Sequence, residues 1–200
     1  MRIAVLASGQ GTNFARLLGA AKSGEIGPAE IALLAVDRPC PALEIAREEG
    51  LAEYSAVARE VGFAEWERGL LARAQECGVD ALVLAGFMRI LSPAIVGCFP
   101  QRILNVHPSL LPAFAGRDAI GQALRYGVRV TGVTVHLVDE TLDGGPIVLQ
   151  EALTVDLGAP EEDLARRIHA LEHRLLPQAV RLMAEGRLIV EDRQVKIMEG

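Results

Sequence analysis

The stretch Arg2-Ile3-Ala4-Val5-Leu6-Ala7-Ser8-Gly9-Gln10-Gly11-Thr12-Asn13-Phe14 decides the fold. After Arg2 the run to Ala7 is apolar at every position, as in a strand buried on both faces of a parallel sheet. Ser8 to Asn13 form a Gly-rich turn. From Phe14 to Ser23 the apolar residues Phe14, Leu17, Leu18 and Ala21 recur at helical spacing. Strand, glycine turn and helix together open a doubly wound α/β fold. The unit then repeats. Ile31 to Val36 reads as a strand, Pro41 to Glu49 as a helix stopped by Gly50, and Phe63 to Cys77 as a helix ended by Gly78. Ala81 to Leu84 and Arg102 to Val106 read as further strands. Beyond them the alternation stops. Val130 to Val138 and Ile147 to Thr154 are long and β-branched, with a short Gly-Gly-Pro turn between them, and predict an antiparallel or mixed extension of the sheet. Glu161 to Glu185 predicts a long helix kinked or broken at Pro177. Leu188 to Val190 and Val195 to Met198 predict a terminal hairpin around Asp192-Arg193.

The 200 residues suit one domain with a substantial core. Half are apolar and 23% charged, a globular composition. A net charge of -6 argues against nucleic acid as partner, because such a protein wants a basic face. No apolar run is long enough to span a membrane, and Met1 leads straight into a strand with neither basic leader nor cleavage site, so a cytoplasmic chain is expected. Cys40, Cys77 and Cys98 are odd in number and far apart. They predict buried small side chains, not disulfides or a metal cluster. Lys22 and Lys196 are the only lysines among 20 basic residues, a bias that points to genome composition or heat adaptation.

Gly9-Gln10-Gly11-Thr12-Asn13, between strand and helix, is a natural anion cradle, since glycines admit close approach and a helix N-terminus offers unpaired N–H groups. A dinucleotide fingerprint needs a third glycine where Phe14 stands. Asp37, ending the second strand, could imitate the ribose-binding acid of that motif, but a single phosphate held by Gly11, Thr12 and Asn13 suits the turn better. The plainer alternative is a structural turn with Thr12 or Asn13 as helix cap. Further on, Leu104-Asn105-Val106-His107-Pro108 leaves a strand with Asn105 and His107 on one side, and Leu142-Asp143-Gly144-Gly145-Pro146 supplies a carboxylate. Amide, imidazole and carboxylate without a Ser or Cys nucleophile suit direct transfer through a charged tetrahedral intermediate: Asn105 and His107 meet the oxyanion, and Asp143 holds and charges the imidazole. Asp139, Glu140 and Asp143 form an acidic cluster expected to favour the imidazolium. His136 lies in a strand and is read as structural. His169 and His173 have i, i+4 spacing that can bind metal, but no third ligand accompanies them, so no metal is expected.

Leu84-Ala85-Gly86-Phe87-Met88-Arg89-Ile90-Leu91-Ser92, together with the Asn105–Pro112 and Leu142–Pro146 motifs, resembles the folate-dependent formyltransferases over nearly the whole chain. The resemblance implies a single Rossmann-like α/β domain over residues 1–200, with a mainly parallel sheet, helices on both faces and a mixed C-terminal extension. Its first half, about 1–100, would bind phosphate, and its second, about 101–200, would bind folate and carry the catalytic groups. The implied reaction passes the formyl group of 10-formyltetrahydrofolate, a co-substrate, to the amine of glycinamide ribonucleotide, with neither metal nor covalent intermediate, in a monomer or homodimer. The resemblance places Gly11, Thr12, Asn13, His169 and Glu172 at the ribonucleotide. It places Met88, Arg89, Ile90, Leu91, Asn105 and the loop Asp139, Glu140, Thr141, Leu142 and Asp143 at the folate. Phe63 stands near where some members carry an arginine that contacts folate, and Asp118 where many carry a histidine. Related hydrolases and tRNA formyltransferases carry an extra domain, for which the span from first strand to last helix leaves no room.

Overall fold

The computed structural model describes residues 1–156 and 158–199. Along the chain run β1 (Arg2–Ala7), α1 (Thr12–Lys22), β2 (Glu30–Val36), α2 (Pro41–Glu48), β3 (Glu53–Tyr54), α3 (Ala58–Val61), α4 (Phe63–Glu76), β4 (Ala81–Leu84), α5 (Pro93–Cys98), β5 (Ile103–His107), α6 (Ala119–Tyr126), β6 (Val130–Leu137), β7 (Ile147–Thr154), α7 (Glu161–Ala184), β8 (Leu188–Glu191) and β9 (Gln194–Ile197). The described strands form one sheet in the order β3-β2-β1-β4-β5-β6-β7-β9-β8. From β3 to β5 all neighbours are parallel. The β5/β6, β6/β7 and β8/β9 pairs are antiparallel, and the terminal hairpin joins the sheet through Ile147 beside Gln194. The expected mixed extension therefore begins at β6, the strand that follows the last parallel one.

Side-chain alternation on β1 builds the two cores. Ile3, Val5 and Ala7 pack with Phe14 and Leu17 of α1, Ala42 of α2 and Ile168, Leu176 and Val180 of α7. Ala4 and Leu6 face the other way, onto Trp66 and Leu70 of α4 and Ile95 of α5. Phe14 is fully buried there, so the position a dinucleotide fold gives to glycine is here a core side chain. Trp66 is also fully buried; its indole N–H donates to the Val36 carbonyl at 3.1 Å and its ring lies 5.6 Å from Phe63 and 5.5 Å from Phe87.

Five elements depart from the sequence reading. α7 runs unbroken through Pro177, which is buried against the sheet. Proline has no N–H to donate to the carbonyl a turn earlier, and packing of the helix's apolar face offsets that missing bond. The short elements β3, α3, α5 and α6 were not foreseen. α5 does carry a readable start signal, since Ser92 accepts the Ile95 N–H and Pro93 takes the first helical position. The cysteines are not buried: Cys98 is exposed and Cys40 and Cys77 half-buried, because each lies at a helix end facing the rim.

Candidate active site

The carboxyl ends of β1, β4 and β5 open on one edge of the sheet, where strand order departs from β1 in both directions and open α/β sheets leave a crevice. Asn105 and His107 stand on β5, and the antiparallel register sets His136 of β6 directly opposite Asn105. Asp143 reaches them from the β6–β7 loop. It adopts φ 48°, a left-handed conformation that Asp tolerates better than most residues. Gly145 holds this loop down: a Cβ there would lie 1.9 Å from the Leu137 carbonyl oxygen. Asp143 Oδ1 accepts from the Asn105 amide at 3.3 Å, and Oδ2 accepts the Gly116 N–H at 2.7 Å and faces His107 Nδ1 at 3.5 Å. The three foreseen groups therefore meet on one carboxylate.

Hydrogen-bond partners constrain the imidazoles. Carbonyl oxygens only accept, so His107 Nε2, 2.9 Å from the Phe114 oxygen, carries a hydrogen. Its Nδ1 faces the Asp143 carboxylate at 3.5 Å. His136 Nδ1 donates to the Leu137 oxygen at 2.9 Å, which leaves Nε2 to accept from Asn105 at 3.0 Å. His136, read as structural from its place in a strand, thus orients Asn105. Only the cross-strand register, absent from local sequence, could have shown this. Burial pushes the Asp143 carboxyl up, but hydrogen bonding, including that of the Gly116 N–H, and the neighbouring His107 hold it below the ordinary carboxylate value. Asp139 and Glu140 play no such part: Asp139 binds the N–H and hydroxyl of Thr141, and Glu140 is exposed. The loop after β5 is braced from beneath, a layer the sequence did not reveal. Thr134 donates to Ser109 O at 2.7 Å and accepts the Leu111 N–H at 3.1 Å, while Gln150 donates to Leu111 O and Thr134 Oγ1, both at 2.9 Å.

At the first turn, Gly11 is the residue preceding α1, at φ 75°, and no side chain caps the helix. Neither Thr12 nor Asn13 is the cap; both lie inside the first turn, whose N–H groups have no intrahelical partner. Gly11 is also buried. A Cβ there would sit 2.8 Å from Ala42 Cβ and 2.9 Å from its Cα, so this glycine serves helix packing as well as any ligand. Thr12 is exposed. Asn13 donates to Glu172 Oε2 of α7 at 2.9 Å, while its Oδ1 finds no donor among the described residues. Burial raises the Glu172 carboxyl above its usual range, against the pull of Asn13 and His169. His169 is exposed and, with Glu162, Ala165, Arg166, Ala170 and His173, lines an open hollow of about 500 Å³. Burial lowers the His173 imidazole, and His169 and Arg16 add to this. Among the described residues no group of three His, Cys, Asp or Glu side chains is placed to hold a metal ion.

The remaining segment, Met88 to Leu91, leaves β4. Met88 and Ile90 are exposed, Ile90 at 69%, whereas Leu91 belongs to the core. Arg89 lies 5.2 Å over the Phe63 ring and donates from Nε to Asp37 at 2.8 Å. Asp37 is 1% exposed and also paired with Arg38, so it is closed to any ribose. Arg117 donates to the Met88 carbonyl at 3.4 Å, and Arg193 of the terminal hairpin to the Gly144 carbonyl at 2.6 Å; these bonds link the loops that rim the site.

Known proteins resemble the chain over nearly its whole length. A phosphoribosylglycinamide formyltransferase from Escherichia coli K12 is 39% identical over 189 residues, 94% of this chain and 89% of that protein. Another from Mycobacterium tuberculosis is 42% identical over 193 residues, 96% of this chain and 89% of that protein. The crystal structure of glycinamide ribonucleotide transformylase 1 from Symbiobacterium toebii superposes with a TM-score of 0.94 at 46% identity, covering 100% of this chain and 94% of that one. The formyl transferase family model matches residues 1–180, a span that holds the glycine turn, the Asn105–His107–Asp143 meeting point and Glu172, and the chain belongs to that family.

Proposed function

We propose that this chain transfers the formyl group of 10-formyltetrahydrofolate to the amine of glycinamide ribonucleotide, a step in purine synthesis. The observation that supports it most directly is the Asp143 carboxylate shared by Asn105 and His107. The neutral amine attacks the formyl carbon, and the carbonyl oxygen gains the charge. The His107 imidazolium and the Asn105 amide stabilise that oxyanion. The attacking nitrogen loses a proton, the bond to the folate nitrogen breaks, and His107 relays a proton to that nitrogen as it departs. Asp143 orients His107 and balances its charge throughout. Without substrate, His107 Nε2 donates to the Phe114 carbonyl and the Asn105 amide to His136 and Asp143; substrate takes over one donor of each, a tightening common on forming the productive complex.

The ribonucleotide phosphate sits over the N–H groups of Thr12 and Asn13, with Gly11 admitting it and His169 and Glu172 closing the site from α7. The folate lies along Met88, Arg89, Ile90 and Leu91 and under Asp139, Glu140, Thr141 and Leu142. The substrates are small and soluble, and no described helix is long and apolar enough to cross a membrane. A cytoplasmic monomer or homodimer serves the reaction equally. Absorbance on mixing the chain with 10-formyltetrahydrofolate tests the proposal. Turnover only when glycinamide ribonucleotide is present supports transfer. Equal turnover without the amine means hydrolysis, and none means a binding module.

A further inference from the structure

We propose that Asp37 is a positioning residue for the folate side of the site: buried at the end of β2, it holds the Met88–Arg89 segment in place across the end of β1. The inference rests on the reading of Met88–Leu91 as the folate-binding segment. In the sheet, β1 lies between β2 and β4, so a side chain leaving β2 must cross β1 to reach the loop after β4. Asp37 makes that crossing through Arg89. Its carboxylate accepts from Arg89 Nε at 2.8 Å. The Ser8 hydroxyl, among the groups that lower the Asp37 carboxyl, has an oxygen that accepts the Met88 N–H at 3.0 Å. The Ser8 N–H donates to the Gly86 carbonyl at 3.2 Å, closing the same junction through the backbone. At the far end of the segment, Glu67 of α4, itself buried, accepts the Ser92 N–H at 2.7 Å. Two buried carboxylates thus clamp both ends of a loop whose middle residue, Ile90, stands in solvent.

A buried carboxylate is costly unless charge and hydrogen bonds compensate it. Asp37 has that compensation: burial pushes it up, but Ser8, Arg89 and Arg38 bring it below the ordinary value. Its side chain is 0% exposed, so it cannot touch a substrate. Any effect it has on folate must pass through residues 88 and 89.

The test is steady-state kinetics on the full chain, varying each substrate in turn, with thermal melting to report folding. Asp37→Asn should raise KM for 10-formyltetrahydrofolate by about tenfold, the scale of one charge-assisted hydrogen bond, and leave kcat and the ribonucleotide KM within about twofold. Ser8→Ala removes the Met88 acceptor without stranding a charge, and should shift the same constant in the same direction by less; it decides the matter if Asp37→Asn does not fold. A folded variant with unchanged folate KM, or with both KM values raised alike, overturns the proposal. If the unaltered chain shows no saturable dependence on 10-formyltetrahydrofolate, the functional reading falls, and this inference with it.

Discussion

Asp143 carries more of the site than any other single residue, since it alone touches Asn105, His107 and the loop after β5. His107→Ala and Asp143→Asn should each cut kcat on the order of 10²–10³ with both substrates still binding, as for loss of one oxyanion-type donor. Calorimetric titration alongside kinetics decides it; near-normal turnover in His107→Ala refutes the proposed mechanism. Glu172 invites a different test. Its folded pKa is raised, so its contribution to stability is present while the carboxyl is protonated and is lost as pH rises from the ordinary value through the raised one. Glu172→Gln lacks that titration, and its amide can donate to the unpaired Asn13 Oδ1. The variant should melt at or above the wild-type temperature at neutral pH while its ribonucleotide KM rises. Melting well below wild type would mean that the ionised carboxylate stabilises the fold. Asn105, His107 and Asp143 were legible because their residue types and strand-end positions declare charge-handling chemistry. His136, Thr134 and Gln150 were not, because their roles arise from pairing between strands distant in sequence.

Among the elements, strong periodicity carried the reading and short length defeated it. β1, β4 and β6 announce themselves as apolar or β-branched runs, and α7 as a long amphipathic stretch. β3 has two residues, too few for a pattern to stand out, and α6, though as long as α2, has neither a side-chain cap nor a first-turn acid to mark its start. Pro177 misled for another reason: a local rule predicts a break, and burial along the face of α7 overrides it. The β1–α1 turn shows ligand and packing demands falling on one residue. Gly11→Ala should cost about 1–3 kcal/mol, from its left-handed backbone and the clash with Ala42. Chemical denaturation measures this. A ribonucleotide defect in that variant therefore says little about phosphate, whereas exposed Thr12→Ala should keep full stability and raise the ribonucleotide KM alone. An unchanged KM for Thr12→Ala would remove its side chain from the phosphate site.

For the whole molecule, charge is arranged to fail in acid. Asp37 and Asp143 both have folded pKa values below their unfolded ones. Their contribution is present above the ordinary carboxylate value and is lost as pH falls through the lowered ones. Thermal melts across the acid range should show the steepest loss of stability below the ordinary carboxylate pKa, and Asp37→Asn should flatten that limb. A melting temperature that holds constant to the acid extreme would contradict the assignment. Arginine-rich surface pairs such as Arg47–Glu53 and Arg16–Glu25 add little at ordinary temperatures, being exposed and salt-screened. The bond between Asn13 and Glu172 joins residues 159 apart in sequence, near opposite ends of the chain. On the ribosome the glycine turn emerges first and waits for its partner helix, 159 residues later. Loop closure of that length also makes this contact slow to form in refolding. A phosphate site that depends on Glu172, as proposed, would thus be acquired late, only once α7 has been made and docked.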